Sequence, residues 1–200
     1  AGWFMGVMQG GPLIDDWLGQ KQGFVGGYRL GWDHDYYWGA EMRFTFASVE
    51  LYDTRRAIDA QYEMDTEDGF APHDPYRLRF HQRRDTDLFQ WDVDLLYYPW
   101  GDSQWRPYLL AGLGAAQIGF TDRLGARTHE AVFAATVAAG LKYRCNDWLA
   151  LRLECADHVA FGGGSGFNTV HNVSATGGIE VRFGGARTAY WPWNPGRHYW

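Results

Sequence analysis

No run of about eighteen apolar residues occurs in this 200-residue chain, so no transmembrane helix is expected. Cysteine is nearly absent. Cys145 and Cys155 are the only two, and CxxC zinc spacing is absent. If the two flank a tight turn near Asn146, their unequal distances from it disfavour a mutual disulfide. A basic stripe is missing and the net charge is −6, which excludes nucleic acid as a partner. The glycine-rich "FGGGSGF" at 161–167 lacks the Lys-Ser/Thr partner and the following helix of a phosphate loop. It reads as a flexible outer loop. The chain opens at Ala1 without a charged segment leading into an apolar one, as a processed secreted chain or a trimmed one does.

Aromatics make up 18% of the residues, with eleven Trp, and Gly occurs 26 times. Mean hydropathy is only −0.40. That low value does not exclude a membrane barrel, in which every second residue faces away from lipid.

Strict alternation is the dominant pattern. In "DLFQWDVDLLYYPW", Phe89, Trp91, Val93, Leu95 and Tyr97 share one parity, and Gln90, Asp92 and Asp94 share the other. Period two over this length predicts a strand with two unlike faces. The pattern recurs and predicts eight strands, at about 3–9, 22–33, 36–51, 86–99, 105–120, 131–145, 147–160 and 170–183. "DHD", "GDSQ" and "ND" supply tight turns, while 10–20, 52–85, 121–130 and 161–169 are longer connections. Short turns at one end and long loops at the other are the habit of outer-membrane barrels. "PLIDDWLG" suggests a helical turn with Pro12 at its first position. The 52–85 connection is too long for an idle loop and predicts an outer hairpin that extends two strands beyond the bilayer.

Two arrangements fit the alternation. A soluble lipocalin-like carrier would bury the apolar face, and a membrane barrel would turn it outward. Eleven rings on the apolar face would overpack an eight-stranded interior. The opposite face carries Arg29, Glu41, Arg43, Asp92, Asp94, Lys142, Arg144, Arg152, Glu154, Glu180 and Arg182, with acids and bases nearly balanced. Aromatics at strand ends (Trp32, Tyr36, Tyr37, Trp38, Tyr97, Tyr98, Trp100, Trp105, Trp148) suit interfacial girdles. The membrane barrel is the favoured reading. Its interior charges are expected to form a salt-bridge plug rather than an ion path, because eight strands leave room for side chains only.

"GFVGGYRLGWDHDYYWGAEMRF", "DVDLLYYPWGDSQWRPYLLAGLGAA" and the closing "GGIEVRFGG" resemble the OmpA-like eight-stranded outer-membrane β-barrels. The resemblance spans about residues 22–183. It implies a closed all-β antiparallel barrel in a bacterial outer membrane, with short periplasmic turns and long outer loops. Pro107 at a strand start fits, since its missing N–H is tolerated there. Two departures stand out. The chain continues past Phe183, the aromatic that ends the last strand, and residues 184–200 are too few for a peptidoglycan-binding domain. The expected division is a barrel over 1–183 and a periplasmic tail over 184–200.

That tail, "GGARTAYWPWNPGRHYW", is rich in interface anchors and stiffened by proline. Tyr190, Trp191, Trp193, Tyr199 and Trp200 are candidate docking residues, for a partner or for the barrel itself. The expected contacts are therefore outer-membrane lipid, and protein partners through residues 184–200 and the 52–85 loop. No catalytic constellation, metal site or cofactor is expected. His158, Ser174, Asp157, Ser165 and His171 lie near one loop end, yet interior polar packing explains His158 and Ser174 better than general-base chemistry. His73, Asp74, His81, Asp65, Glu67 and Asp68 read as a solvated hairpin tip rather than a cation site. The expected function is a non-enzymatic structural or interaction module. The alternatives are a lipid-modifying or lipid-binding barrel and a soluble carrier.

Overall fold

A computed structural model describes residues 1–12, 18–55, 84–101, 103–121, 127–162 and 169–183. The strands are β1 (Gly2–Gly10), β2 (Leu18–Gln20), β3 (Gln22–Asp33), β4 (Trp38–Asp53), β5 (Arg84–Tyr97), β6 (Trp105–Thr121), β7 (Arg127–Arg144), β8 (Leu149–Ala160) and β9 (Val170–Val181). Consecutive long strands pair antiparallel, β4 pairs with β5, and β1 pairs with both β3 and β9. The eight long strands thus close on themselves and leave no edge, which hydrocarbon requires of any sheet. Following partners from Gly2 through Arg29, Arg43, Asp92, Gly114, Ala134 and Ala160 leads to Val170, two residues past the Asn172 that pairs with Gly10. The ring does not return to its starting level, so the strands are tilted, as barrel closure demands.

The ninth strand corrects the reading of 10–20 as loop throughout, while the helical turn expected from Pro12 falls on 13–17, outside the described residues. Leu18–Gln20 pairs with Leu51–Asp53, and the Lys21 N–H continues the ladder to the Glu50 carbonyl. β4 outruns β3 at this rim, and its backbone groups need partners. Between Gln20↔Leu51 and Phe24↔Ser48, three residues oppose two, a β-bulge at Lys21–Gly23. A Cβ on Gly23 would collide with the Ser48 carbonyl oxygen, so only glycine fits this close approach. Residues 13–17, the 56–83 part of the expected outer hairpin, the 163–168 part of the glycine loop and the tail from 184 lie outside the described residues.

The DHD and ND turns share one device. Asp35 Oδ1 accepts from the N–H groups of Tyr37 (2.7 Å) and Trp38 (2.6 Å). Asn146 Oδ1 accepts from those of Trp148 (3.0 Å) and Leu149 (2.7 Å). Short Asx side chains thereby stand in for the ladder where the strand reverses.

Trp3, Phe24, Trp32, Phe46, Trp91, Leu113, Phe133, Val137 and Leu153 all project outward, among thirty large exposed apolar side chains in the described residues. They lie on every long strand and form an apolar surface around the barrel, where soluble monomers expose only separate patches. The wall therefore requires hydrocarbon, and the soluble-carrier arrangement is overturned. Cys155 stands on this wall, Cys145 lies in a short turn, and both thiols are free.

Candidate functional site: the barrel interior

The interior is stratified. Nearest the long loops it is apolar, filled by Met8, Val25, Val49, Leu51, Leu88, Ile118 and Val170. The same inward parity of β4 reads Glu41, Arg43, Thr45, Ala47, Val49, Leu51, so one face changes from charged to greasy along one strand.

Below that layer sit seven of the charged residues singled out from the sequence. The Arg152 guanidinium donates to both oxygens of Glu41 (2.7 and 3.0 Å) and to Glu154 Oε2 (2.6 Å). Its Nε donates to the Tyr108 hydroxyl, which donates to Glu154 Oε2 at 2.6 Å. Arg29 reaches the same Glu154 oxygen at 3.1 Å. Arg43 donates to Glu154 Oε1 (2.9 Å) and Asp92 Oδ2 (3.3 Å), and its Nη2 lies 2.9 Å from Asp94 Oδ2. Gln90 ties Asp92 (2.6 Å) to Thr136 (2.9 Å). All these side chains are buried. Each charge is desolvated and each has an opposite charge at contact, the condition under which buried ions are tolerated.

Lys142, Glu180 and Arg182 lie toward the short-turn end, joined to that layer by the Arg152–Glu180 pair at 4.0 Å. Lys142 lies 3.0 Å from Glu180 and donates to the Tyr98 hydroxyl at 2.8 Å. Tyr98 donates to Asp33 Oδ1 (3.1 Å), whose other oxygen takes Arg106 (2.7 Å) and Arg182 (3.3 Å). Arg106 also donates to the Gly101 and Tyr36 carbonyls, each at 3.0 Å, and its Cζ sits 3.6 Å from the Tyr98 ring centroid. One guanidinium thus fastens two turns together. Burial raises the Tyr98 hydroxyl above its ordinary pKa, which keeps it protonated between Lys142 and Asp33.

Tyr98 was expected in the outer girdle and is fully buried. Tyr97 points outward, so its neighbour must point in, and a charged lining makes room for a phenol that can hydrogen-bond. Asp33, Arg106 and Tyr108 were missed for the opposite reason. They lie in or near turns or beside Pro107, where no alternating run drew attention, yet parity alone places Arg106 and Tyr108 on one face with Leu110. A cavity of about 190 Å³ lies at this end, lined in part by Arg29, Glu41, Lys142 and Glu180.

His158 lies 3.2 Å from both Thr136 Oγ1 and Ser174 Oγ inside the wall. Asp157 faces outward and pairs with His171 at 2.9 Å. The acid and the hydroxyl are on opposite sides of the sheet, so no Ser-His-acid relay is assembled. Ser165, the 65–81 acid and histidine cluster, and Tyr190, Trp191, Trp193, Tyr199 and Trp200 lie outside the described residues. Among the described residues no group of three His, Cys, Asp or Glu side chains is placed to hold a metal.

A family model described as "Outer membrane protein beta-barrel domain" matches residues 6–183. No curated protein matches the chain. Among solved structures, Neisserial surface protein A is similar over 91% of this chain and 96% of its own, at TM-score 0.53 and 14% identity. Ail of Yersinia pestis, in complex with a heparin analogue, gives 0.48 and 13% over 91% and 97%. The N-terminal barrel of Pseudomonas aeruginosa OprF gives 0.40 and 15% over 91% and 97%.

Proposed function

The chain belongs to the outer membrane protein β-barrel family and resides in the bacterial outer membrane, and from that premise we propose that it acts as a non-enzymatic structural and interaction module. The observation that carries this reading is the doubly filled interior. An apolar layer over an ion-paired layer supports a lumen given to side-chain packing rather than to an open aqueous path. With the interior given to packing, the surfaces proposed for function are the lipid-facing wall, the long loops, and residues 184–200, which are expected on the periplasmic side. The aromatic and arginine content of that tail suits protein docking. The separation of Asp157 from Ser174 by the barrel wall supports the absence of hydrolytic chemistry at that hairpin.

Co-purification in mild detergent tests the reading. Proteins held by the wild-type chain are expected to be lost on deletion of residues 184–200 or on shortening the 52–85 loop. If both variants kept every associated protein, the interaction role would be lost.

A further inference from the structure

A groove of about 370 Å³ is cut into the outer wall near the long-loop end. Its floor is Gly119, which pairs with Asp87 on one side and His129 on the other. A Cβ on Gly119 would meet the His129 ring nitrogen at 2.8 Å, so the glycine keeps the notch open. Below the notch stand Phe24, Phe46 and Phe89, with the Phe46 and Phe89 rings 4.9 Å apart between centroids. Around it stand Ser48, Asp87, Gln117 and His129. The change from apolar to polar comes in register on β4 and β5, where Phe46 pairs with Phe89 and Ser48 with Asp87, and Phe24 of β3 pairs with Ser48 at the boundary.

We propose that this groove seats one lipid of the outer leaflet whose head group bears sugar hydroxyls. Position sets the class of occupant, because the wall around the notch faces hydrocarbon and its polar rim lies where head groups begin. Rim chemistry sets the head group. A carboxylate, an amide, a hydroxyl and an imidazole all exchange hydrogen bonds with neutral hydroxyls. The lining holds no guanidinium or ammonium among the described residues, and the Asp87 carboxylate repels an anionic head. The acyl chain lies along the three phenylalanine rings, and the sugar is held by Asp87, Gln117 and Ser48.

The test uses the full chain folded in detergent micelles, with folding checked by heat-modifiable gel mobility. An equimolar mixture of monogalactosyl diacylglycerol and phosphatidylglycerol with matched chains is added, and native mass spectrometry reads the retained lipid. The wild type is expected to hold one galactosyl lipid about tenfold more often than the anionic one, the scale of one or two hydrogen bonds. Gly119→Trp, which fills the notch, should abolish that preference. Gln117→Ala and Asp87→Ala, both on the exposed wall, should each reduce it several-fold at unchanged mobility. Equal retention of the two lipids by wild type overturns the proposal, and so does undiminished preference in the folded Gln117 and Asp87 variants.

Discussion

Arg152 grips Glu41 from the opposite side of the ring, with Nη1 to Oε2 at 2.7 Å and Nη2 to Oε1 at 3.0 Å. Their strands, β8 and β4, stand four places apart in a circle of eight. The pair is a strut across the diameter, and its loss should be felt by the whole wall.

Arg152→Ala is therefore expected to destabilise the barrel by about 3–5 kcal/mol, because Glu41 and Glu154 lose their shared partner while buried. Urea unfolding in lipid vesicles, followed by gel mobility, measures this. Pairing Arg152→Met with Glu41→Leu should recover most of the loss, since no orphan charge is left at that strut. A single variant as stable as wild type would show that the strut bears no strain.

The same Arg152→Ala protein should carry no current. The apolar layer of Val49, Leu51, Leu88 and Ile118 lies between the damaged layer and the outer side. Planar bilayers should show no stable step conductance for wild type or variant. Discrete openings in the variant would mean that the ionic layer alone closes the barrel.

Arg106→Ala should cost about 2–4 kcal/mol, with the damage local to the short-turn end. Asp33 and the Gly101 and Tyr36 carbonyls lose their common donor, and the Tyr98 ring loses its stacking partner. Hydrogen exchange should rise in the 34–37 and 98–104 turns and leave the long-loop end unchanged. Uniform loss of protection along every strand would contradict this assignment.

The two thiols offer a reading of which face meets lipid. Cys145, in an exposed turn, should react with a hydrophilic maleimide in permeabilised vesicles. Cys155, on the lipid wall between Leu153 and Asp157, should react only with a membrane-soluble reagent. Rapid labelling of Cys155 by the hydrophilic reagent in a folded, lipid-embedded sample would place that wall in water.

Parity made most of this architecture legible. Where a strand alternates cleanly, as Phe89 to Tyr97 does against Gln90 to Leu96, the sequence names the side of the wall each residue occupies, and the closed barrel follows from eight such runs. Parity is silent about level. It could not show that Lys142, Glu180 and Arg182 gather toward the short-turn end and meet the charges around Glu154 at the Arg152–Glu180 contact, since that depends on the stagger between strands. Nor could it show that the lining turns apolar at Val49 and Leu51, because a greasy residue on the polar face looks like an exception until its neighbours on β5, β6 and β9 prove to be of the same kind. Tyr98 was misplaced because aromatic residues at strand ends suit a girdle on composition, and composition outweighed the alternation. β2 was missed because three residues are too few to show a period.

The seam between β1 and β9 unites segments about 170 residues apart in the chain. Until that seam forms, both flanking strands present bare amide and carbonyl groups, which hydrocarbon does not tolerate. Insertion must then be concerted: the cylinder crosses into the bilayer with its last hydrogen bonds forming, or shielded by another protein until they do. A nascent chain lacking its final strand would have no stable resting place in the membrane.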